Sequence, residues 1–242
     1  MSFFGQVDHQ VEVALGNVSG KANLILVATS TTIGTTYTDV WDQGGIMTRP
    51  TAAETYEMFS ADTNDTSAGT GARTVSIVSL DASGNEQTTI ATTNGGTATV
   101  SGTHRFPRIA TVLTAGSNGV NVGDITIRVA SAGAVRIKIP ADEGVSNNAQ
   151  LRVPTGKILH PLQFQYFSEK DEDVVIRPRT LIDIPDAASF SNASVPLYQA
   201  AFLSSISATV AIPANTEVSF QAKSTNPNVT VTIIAQYRLS DV

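Results

Sequence analysis

Two short segments of the chain alternate apolar and polar residues without interruption. In DITIRVA (124–130) and AVRIKIP (134–140), every second residue is apolar. A helix would scatter such side chains around its axis, whereas successive side chains of a β-strand point to opposite faces. The pattern therefore predicts an antiparallel β-hairpin. Its inner face is expected to carry Ile125, Ile127, Val129, Val135, Ile137 and Ile139.

Similar signals recur along most of the chain. The segments 73–80 and 86–93 flank the turn sequence DASGN, which predicts a second hairpin. Alternation resumes after residue 150 and continues to residue 239, while short helices are predicted only at 50–58 and 195–205. Regularly spaced short strands are typical of sandwiches and barrels. The sequence therefore predicts an all-β fold.

The composition narrows the classes of partner. Only 15% of the residues are charged and the net charge is −6, which argues against nucleic-acid binding because that requires a basic surface. The sequence contains no run of about 20 apolar residues, so no membrane span is predicted. With no cysteine, neither a disulfide framework nor a thiolate metal site can form. The first residues lack a signal-peptide pattern, so we expect a protein that is made and kept in the cytosol, or one that is released by lysis or assembly.

Three zones are predicted along the chain. Residues 1–45 are interpreted as an extended N-terminal arm or as edge strands, and they end at Gly44 and Gly45. Residues 46–150 and 151–242 are predicted to form two β-sandwich or jelly-roll-like domains, with the polar stretch 140–150 as a linker. The arm interpretation implies that the chain stays folded without residues 1–40.

The sequence gives little support for an enzyme. His9, His104 and His160 are far apart, without metal-ligand spacing, and we interpret them as turn or surface residues. A dispersed Ser/His/Asp set stays open because such triads assemble in space. The Gly-rich segment 67–75 lacks the phosphate-loop spacing and is predicted to be a turn into a strand. We therefore expect a non-enzymatic protein with no cofactor.

Two acidic clusters are candidates for calcium. The first contains Asp62, Asn64 and Asp65, and the second comprises Glu169 and residues 171–173. Calcium requires several oxygens that converge on one point, and neither cluster has the EF-hand pattern. Solvated loop acids are the favoured interpretation, with a calcium site kept as the alternative.

Four residues are candidates for contact with a partner. The predicted hairpin places Arg128, Arg136 and Lys138 on one face, where neighbouring cations repel unless an anionic group faces them. Nearby carboxylates of the same chain are one explanation, and contact with a partner subunit is the other. Trp41, the only tryptophan, is interpreted as an anchor of the N-terminal arm, or alternatively as a sugar-binding platform.

Several of these segments resemble a family of known proteins. The run from Val40 to Ile90 carries VWDQGG, PTAAET and NDTSAGTGARTV, and the run from 108 to 130 carries AGSNGVNVGDITI. The chain resembles structural proteins of tailed bacteriophages at these motifs, especially those of marine and cyanobacterial phages. Residues 151–242 are also similar to the C-terminal β-sandwich of that family. The motifs are turn and loop signatures, and the resemblance covers most of residues 40–242.

The resemblance implies a virion component that is assembled in the host cytoplasm. It implies a homo-oligomer, with a trimer favoured, that binds the major capsid protein or other virion proteins. We expect a capsid decoration or cement protein, which would act through an arm and inter-subunit β surfaces. A tail, fibre or vertex protein whose C-terminal domain binds a host glycan is the alternative.

Overall fold

The computed structural model describes residues 13, 15–148, 150–169, 174–182, 190–191, 195–197, 201–205 and 211–242. Its strands form several antiparallel sheets, which confirms the all-β prediction. Among the described residues, no helix has the length and apolar character needed to cross a membrane.

Seventeen strands are found in the described residues. In chain order they are β1 (Lys21–Ile33), β2 (Thr38–Asp39), β3 (Tyr56–Ser60), β4 (Ala72–Leu80), β5 (Glu86–Thr92), β6 (Thr97–Thr99), β7 (Arg105–Ala115), β8 (Ile125–Val129), β9 (Val135–Ile139), β10 (Leu151–Arg152), β11 (Lys157–Ser168), β12 (Val174–Ile182), β13 (Phe190–Ser191), β14 (Val195–Leu197), β15 (Ala201–Ser205), β16 (Thr216–Ser224) and β17 (Val229–Asp241).

The C-terminal sandwich is built from two sheets around one apolar core. One sheet has the strand order β1-β17-β11-β15, and the other has the order β10-β16-β12-β13, with β14 beside β12 and β2 beside β16. Alternate residues of both sheets fill the core. Phe164 contacts Phe220 edge to face at a centroid distance of 5.3 Å and Tyr237 at 5.7 Å. Such contacts add to the stabilisation that comes from burial alone.

The N-terminal strand belongs to this sandwich. β1 pairs antiparallel with β17, so that Lys21 lies opposite Ser240 and Ala28 lies opposite Ile233. Leu26 and Ala28 are part of the C-terminal core. Residues 21–33 thus form an edge strand, and residues 1–12 lie outside the described part of the chain. We therefore expect removal of residues 1–40 to unfold the C-terminal sandwich, contrary to the arm interpretation.

The central sandwich contains both predicted hairpins. Its sheets have the orders β6-β3-β8-β9 and β5-β4-β7. β4 pairs with β5 and β8 pairs with β9, as predicted. The core between the sheets includes Met58, Ile77, Ile125, Ile127 and Ile137, all of which are almost fully buried.

The alternation of the β8–β9 hairpin is interrupted by a β-bulge. Ile127 lies opposite Ile137, but Arg128 lies opposite Val135, which leaves Arg136 as the extra residue. The prediction that Val135 joins the inner face is wrong: it is half-buried, whereas Arg136 is buried. The extra residue puts Val135 out of phase with Ile137 and Ile139, which keep their predicted places in the core.

Three other local predictions are wrong or need refinement. The strand Tyr56–Ser60 begins inside the segment 50–58 that was predicted as the first short helix, and Val195–Leu197 and Ala201–Ser205 are strands within the second. The predicted linker 140–150 packs against β7, where the N–H of Ser146 donates to the carbonyl of Ala110 at 2.9 Å. The hydroxyl of Ser146 also accepts from the N–H of Ala110 at 2.9 Å, so the segment is bound to the sheet through side chains as well as backbone.

Candidate interaction surface

The outer face of the β1-β17-β11 sheet is unusually poor in charge. In each strand the residues that alternate with the core positions point away from the sandwich. We call the central part of this surface the neutral face. It comprises Ile25, Val27 and Thr29 of β1, Thr232, Ile234 and Gln236 of β17, and Gln163, Gln165 and Phe167 of β11.

The strand register aligns these side chains in rows across the sheet. Val27 lies opposite Ile234, which lies opposite Gln165. In the next row, Thr29 and Thr232 are hydrogen-bonded through their hydroxyl oxygens at 3.2 Å. The rows show that strands distant in sequence supply one continuous surface.

The neutral face exposes apolar side chains. Ile25 is 61% exposed, Phe167 38% and Val27 36%. Residues 22–38, 158–168 and 224–237 contain no Asp, Glu, Lys or Arg, so each of the three strands has a charge-free centre. Loss of charge at the centre of a patch, together with exposed apolar and aromatic groups, is typical of protein–protein interfaces.

The opposite outer face of the C-terminal sandwich is covered by the chain itself. Glu217, Ser219 and Gln221 project from β16 away from the core, yet each is only 4% exposed. The segment 37–50 lies over them: Arg49 donates to Glu217 at 2.6 Å and to Ser219 at 3.2 Å. Burial raises the pKa of Glu217, and Arg49 acts in the opposite direction. No segment of the described residues lies over the neutral face in this way, so within that part of the chain it is the outer face available to another molecule.

A polar cavity of about 450 Å³ adjoins the Thr29 end of the neutral face, between the two sandwiches. Its lining residues are Thr29, Thr31, Asp42, Lys138, Pro140, Glu143 and Asn147. Asn147 connects two carboxylates there, since its backbone N–H donates to Asp42 and its side-chain amide donates to Glu143 at 3.0 Å. Burial raises the pKa of Asp42 to about 7, and the negative charge of Glu143 adds to the shift.

Trp41 lies at the junction of the two sandwiches. It is 3% exposed, its indole N–H donates to the carbonyl of Gly45 at 3.3 Å, and it forms a β-bridge with Asn148. The ring is therefore packed between the N-terminal segment and the connection that precedes β10. This placement corresponds to the anchor interpretation, whereas a sugar platform requires an exposed ring.

The three cations of the hairpin each have a carboxylate of the same chain beside them. Arg128 contacts Glu57 at 2.7 Å, Arg136 contacts Glu54 at 2.6 Å and Lys138 contacts Asp124 at 2.7 Å. The structure does not bring the three cations together on one open face, because the bulge turns Arg136 inward. Contact of these cations with a partner subunit stays a prediction.

Glu57 also organises the turn of this hairpin. Its carboxylate accepts from the backbone N–H groups of Ser131 and Ala132 at 3.0 and 2.9 Å. Both residues have positive φ angles, of 65° and 55°. The hydrogen bond from Ala132 is the main reason why the pKa of Glu57 is lowered, and Arg128 contributes to it. The Arg128–Glu57 pair thus has a structural function within the chain.

The acidic cluster at 62–65 is a hydrogen-bonding centre. Asp65 is fully buried, and its carboxylate accepts from Ser60 Oγ at 2.7 Å and from the N–H groups of Ala72, Val122 and Gly123 at 2.8, 2.9 and 3.1 Å. Its oxygens therefore face donors, an environment that suits a carboxylate and not a bound cation. Within the described part of the chain, no group of three or more His, Cys, Asp or Glu residues is arranged to hold a metal. Of the second acidic cluster, residues 171–173 lie outside the described residues.

The expectation that His104 is a turn or surface residue is wrong. Its side chain is fully buried and its ring stacks on Tyr56 at a centroid distance of 5.1 Å. Nε2 contacts the carbonyl of Ser101 at 2.8 Å, so this nitrogen carries the proton, and Nδ1 accepts from Gln87 Nε2 at 3.3 Å. Burial lowers the pKa of His104. His160 lies half-buried in β11, and His9 lies outside the described residues.

No protein-family model matches the chain, and no curated protein matches it either. Sequence reasoning did not find the neutral face, although the charge-free stretches 22–38 and 224–237 are visible in the sequence. Their significance depends on β1 and β17 being neighbours, which only the register reveals.

Proposed function

We propose that the protein is a non-enzymatic structural component of a tailed-bacteriophage virion, and specifically a capsid decoration or cement protein. In this proposal it binds the major capsid protein or another virion protein through its outer sheet surfaces. The observation that carries the proposal is the neutral face: an uncharged sheet surface with exposed Ile25, Val27 and Phe167, which suits contact between subunits. The resemblance at residues 40–90 and 108–130 supports the same assignment.

The disposition of buried polar groups also favours a structural role. Asp65, His104 and Glu217 are buried, and each has hydrogen-bond partners within the chain that fix its position. A group that reacts with substrate needs access to a pocket. These residues act as internal connections between loops and strands, as a rigid building block requires.

The aromatic residues favour the cement interpretation over the glycan-binding alternative. Phe164, Tyr166, Phe220 and Tyr237 are all buried in the C-terminal core, and Trp41 is buried at the junction. Sugar rings stack on exposed aromatic faces, and Phe167 is the exposed aromatic of the described C-terminal sandwich. Among the side chains whose burial the structure describes, this one half-exposed phenylalanine fits a protein contact better than a glycan site.

The proposal is tested by locating the protein on virus particles. Antibodies against the recombinant chain should label intact particles, and electron microscopy should show density of this size at repeated positions on the head. Recovery of the protein only in the soluble fraction of the lysate would overturn the proposal. Density confined to the tail or its fibres would instead favour the glycan-binding alternative.

A truncation tests whether the N-terminal segment contributes to particle binding. Removal of residues 1–12 leaves β1 and its core residues Leu26 and Ala28 in place. If the segment acts as an arm, the truncated chain should stay folded by circular dichroism and should bind depleted particles more weakly. If the truncated chain occupies the particles as fully as wild type, residues 1–12 do not contribute and binding occurs through the sheet surfaces.

A further inference from the structure

The neutral face has properties that specify its partner. The chain carries a net charge of −6, so two copies repel each other least where the contact adds no further like charges at close range. The neutral face is such a surface, and its centre is made of isoleucine, valine, threonine and glutamine side chains from three strands. Burial of this surface against an identical one places no unpaired charge inside the contact.

Charged groups lie at both ends of the surface. At one end Lys157 pairs with Asp241 at the beginning of β11 and the end of β17. At the other end Asp42, Lys138 and Glu143 surround the polar cavity beside Thr29. An apolar centre with a polar, charged rim is the usual composition of a protein–protein contact.

The charge-free part of the sheet approaches the size of a standard interface. It spans residues 22–33 of β1, 229–237 of β17 and 158–168 of β11. At ~3.3 Å per residue and ~4.8 Å between strands, these three segments present about 500 Å² of flat area. The corrugation of the side chains increases the accessible area, and a standard interface buries about 800 Å² per partner.

We propose that the neutral face binds the neutral face of a second copy of this chain, so that the two sheets stack across a two-fold axis. Sheets that stack face to face in this way pack ~10 Å apart with their strands nearly aligned. A surface that binds itself produces a closed pair, because each copy uses the same patch. This inference rests on the proposed function, in which a cement protein acts through inter-subunit β surfaces. It assigns the neutral face to the contact between two copies and leaves the capsid protein to other surfaces of the chain.

The mass of the full chain in solution tests the proposal. Light scattering coupled to size-exclusion chromatography should give twice the chain mass of 25.4 kDa at micromolar concentration. A monomer mass at up to about 100 µM would overturn the inference, since this corresponds to binding too weak for a stacked sheet of this area. A mass of three copies would also overturn it, because a two-fold contact closes at two.

Matched substitutions locate the contact. Ile25→Lys places a charge on the neutral face, whereas Ile90→Lys places one on β5 of the central sandwich, and both isoleucines are 61% exposed. Ile25→Lys should weaken dimerisation at least tenfold in dissociation constant, and Ile90→Lys should leave it unchanged. Equal effects of the two substitutions would contradict the proposal.

A third variant separates stacking of the faces from pairing of the β1 edges. Gln165 lies on β11, two strands away from β1, which is the outermost strand of this sheet among the described residues. Gln165→Lys should weaken the dimer as strongly as Ile25→Lys if the faces stack. If Gln165→Lys has no effect, the copies meet along β1 and the stacked arrangement is wrong. Circular dichroism should show that all three variants keep the wild-type fold.

The particle assay keeps this inference separate from the proposed function. Wild-type protein that binds particles but is monomeric in solution would refute the stacked dimer and leave the virion role intact. Protein that dimerises through the neutral face but is absent from particles would support the stacked dimer and overturn the virion role.

Discussion

Arg136 binds Glu54 through two parallel hydrogen bonds, 2.9 Å from Nε to Oε2 and 2.6 Å from Nη2 to Oε1. The arginine side chain is only 5% exposed, and its Nη1 also donates to the carbonyl of Thr48. Because Arg136 is the bulge residue of β9, its side chain points toward the segment that precedes β3. The pair therefore holds residues 48–54 against the β8–β9 hairpin.

Loss of one member of this pair should destabilise the protein strongly. Glu54→Gln leaves a buried guanidinium group without its carboxylate, which we expect to lower the free energy of unfolding by about 3 kcal/mol. The control is Arg108→Ala, which breaks a pair with the 39%-exposed Glu86. Pairs of that kind contribute less than about 1 kcal/mol. Urea unfolding measures the free energy of unfolding of both variants. Equal losses for Glu54→Gln and Arg108→Ala would contradict the prediction.

The protonation of Asp42 should make stability depend on pH. The pKa of Asp42 is raised by burial from 3.8 to about 7, so the folded state binds more protons than the unfolded state between these values. The contribution of Asp42 to the free energy of unfolding therefore falls as the pH rises from about 4 to about 7. Asp42→Asn should remove this fall and should be more stable than wild type at pH 8 by about 2 kcal/mol, which is half of the full shift because the side chain keeps contact with water.

The neighbouring Asp142→Asn variant controls for the removal of one negative charge. Asp142 is exposed and has a φ of 62°, a conformation that asparagine also tolerates. We expect this variant to retain the wild-type pH dependence in chemical denaturation. If the free energies of unfolding of wild type and Asp42→Asn change in parallel between pH 5 and pH 8, Asp42 is ionised throughout that range and the prediction is wrong.

His104 should produce a pH dependence of the opposite sign. Burial lowers its pKa from the ordinary value of 6.5, so below that value the unfolded state binds more protons than the folded state. Stability from this group is complete above pH 6.5 and is lost as the pH falls. His104→Gln should abolish that loss, whereas His160→Gln should retain it. An imidazole resonance of His104 that titrates above 6.5 in NMR spectra would refute this.

The carboxylate of Asp65 should be essential to the loops that it connects. Asp65→Asn replaces one acceptor oxygen with an NH₂ group that faces backbone N–H donors of Ala72, Val122 or Gly123. We expect a loss of about 2 kcal/mol or more in the free energy of unfolding, because buried donors lose their partner. Asp62→Asn, at a partly exposed position, should lower the free energy of unfolding much less. Thermal unfolding of both variants measures the difference. Added calcium should not raise the melting temperature, and an increase would revive the calcium interpretation.

The local pattern of the sequence was sufficient to predict where the main strands lie. It was insufficient to predict which side chains the neighbouring strands bury. The hairpins of β4–β5 and β8–β9 were predictable because each is formed by neighbouring residues with alternating character and a turn sequence between them. The bulge at Arg136 was not, since an uninterrupted alternation gives no sign of an extra residue. The burial of His104 depends on Tyr56 and Ser79, which lie on other strands.

The candidate surface shows the same distinction. Threonine and isoleucine in β1 indicated a strand, but nothing near Ile25 in the sequence showed which strand would lie beside it. Its neighbour across the sheet is Gln236, more than 200 positions later in the chain. Local patterns specify which side chains share a face, whereas the register between distant strands specifies which faces combine.

The position of β17 has a consequence for how the chain acquires its structure. This strand lies between β1 and β11, so the first sheet lacks its middle member until residues 229–241 have been synthesised. The central sandwich, formed by residues 56–139, has no such requirement. During translation the central sandwich is thus able to fold early. The strand at 21–33 pairs with β17 only after almost the whole polypeptide has been synthesised.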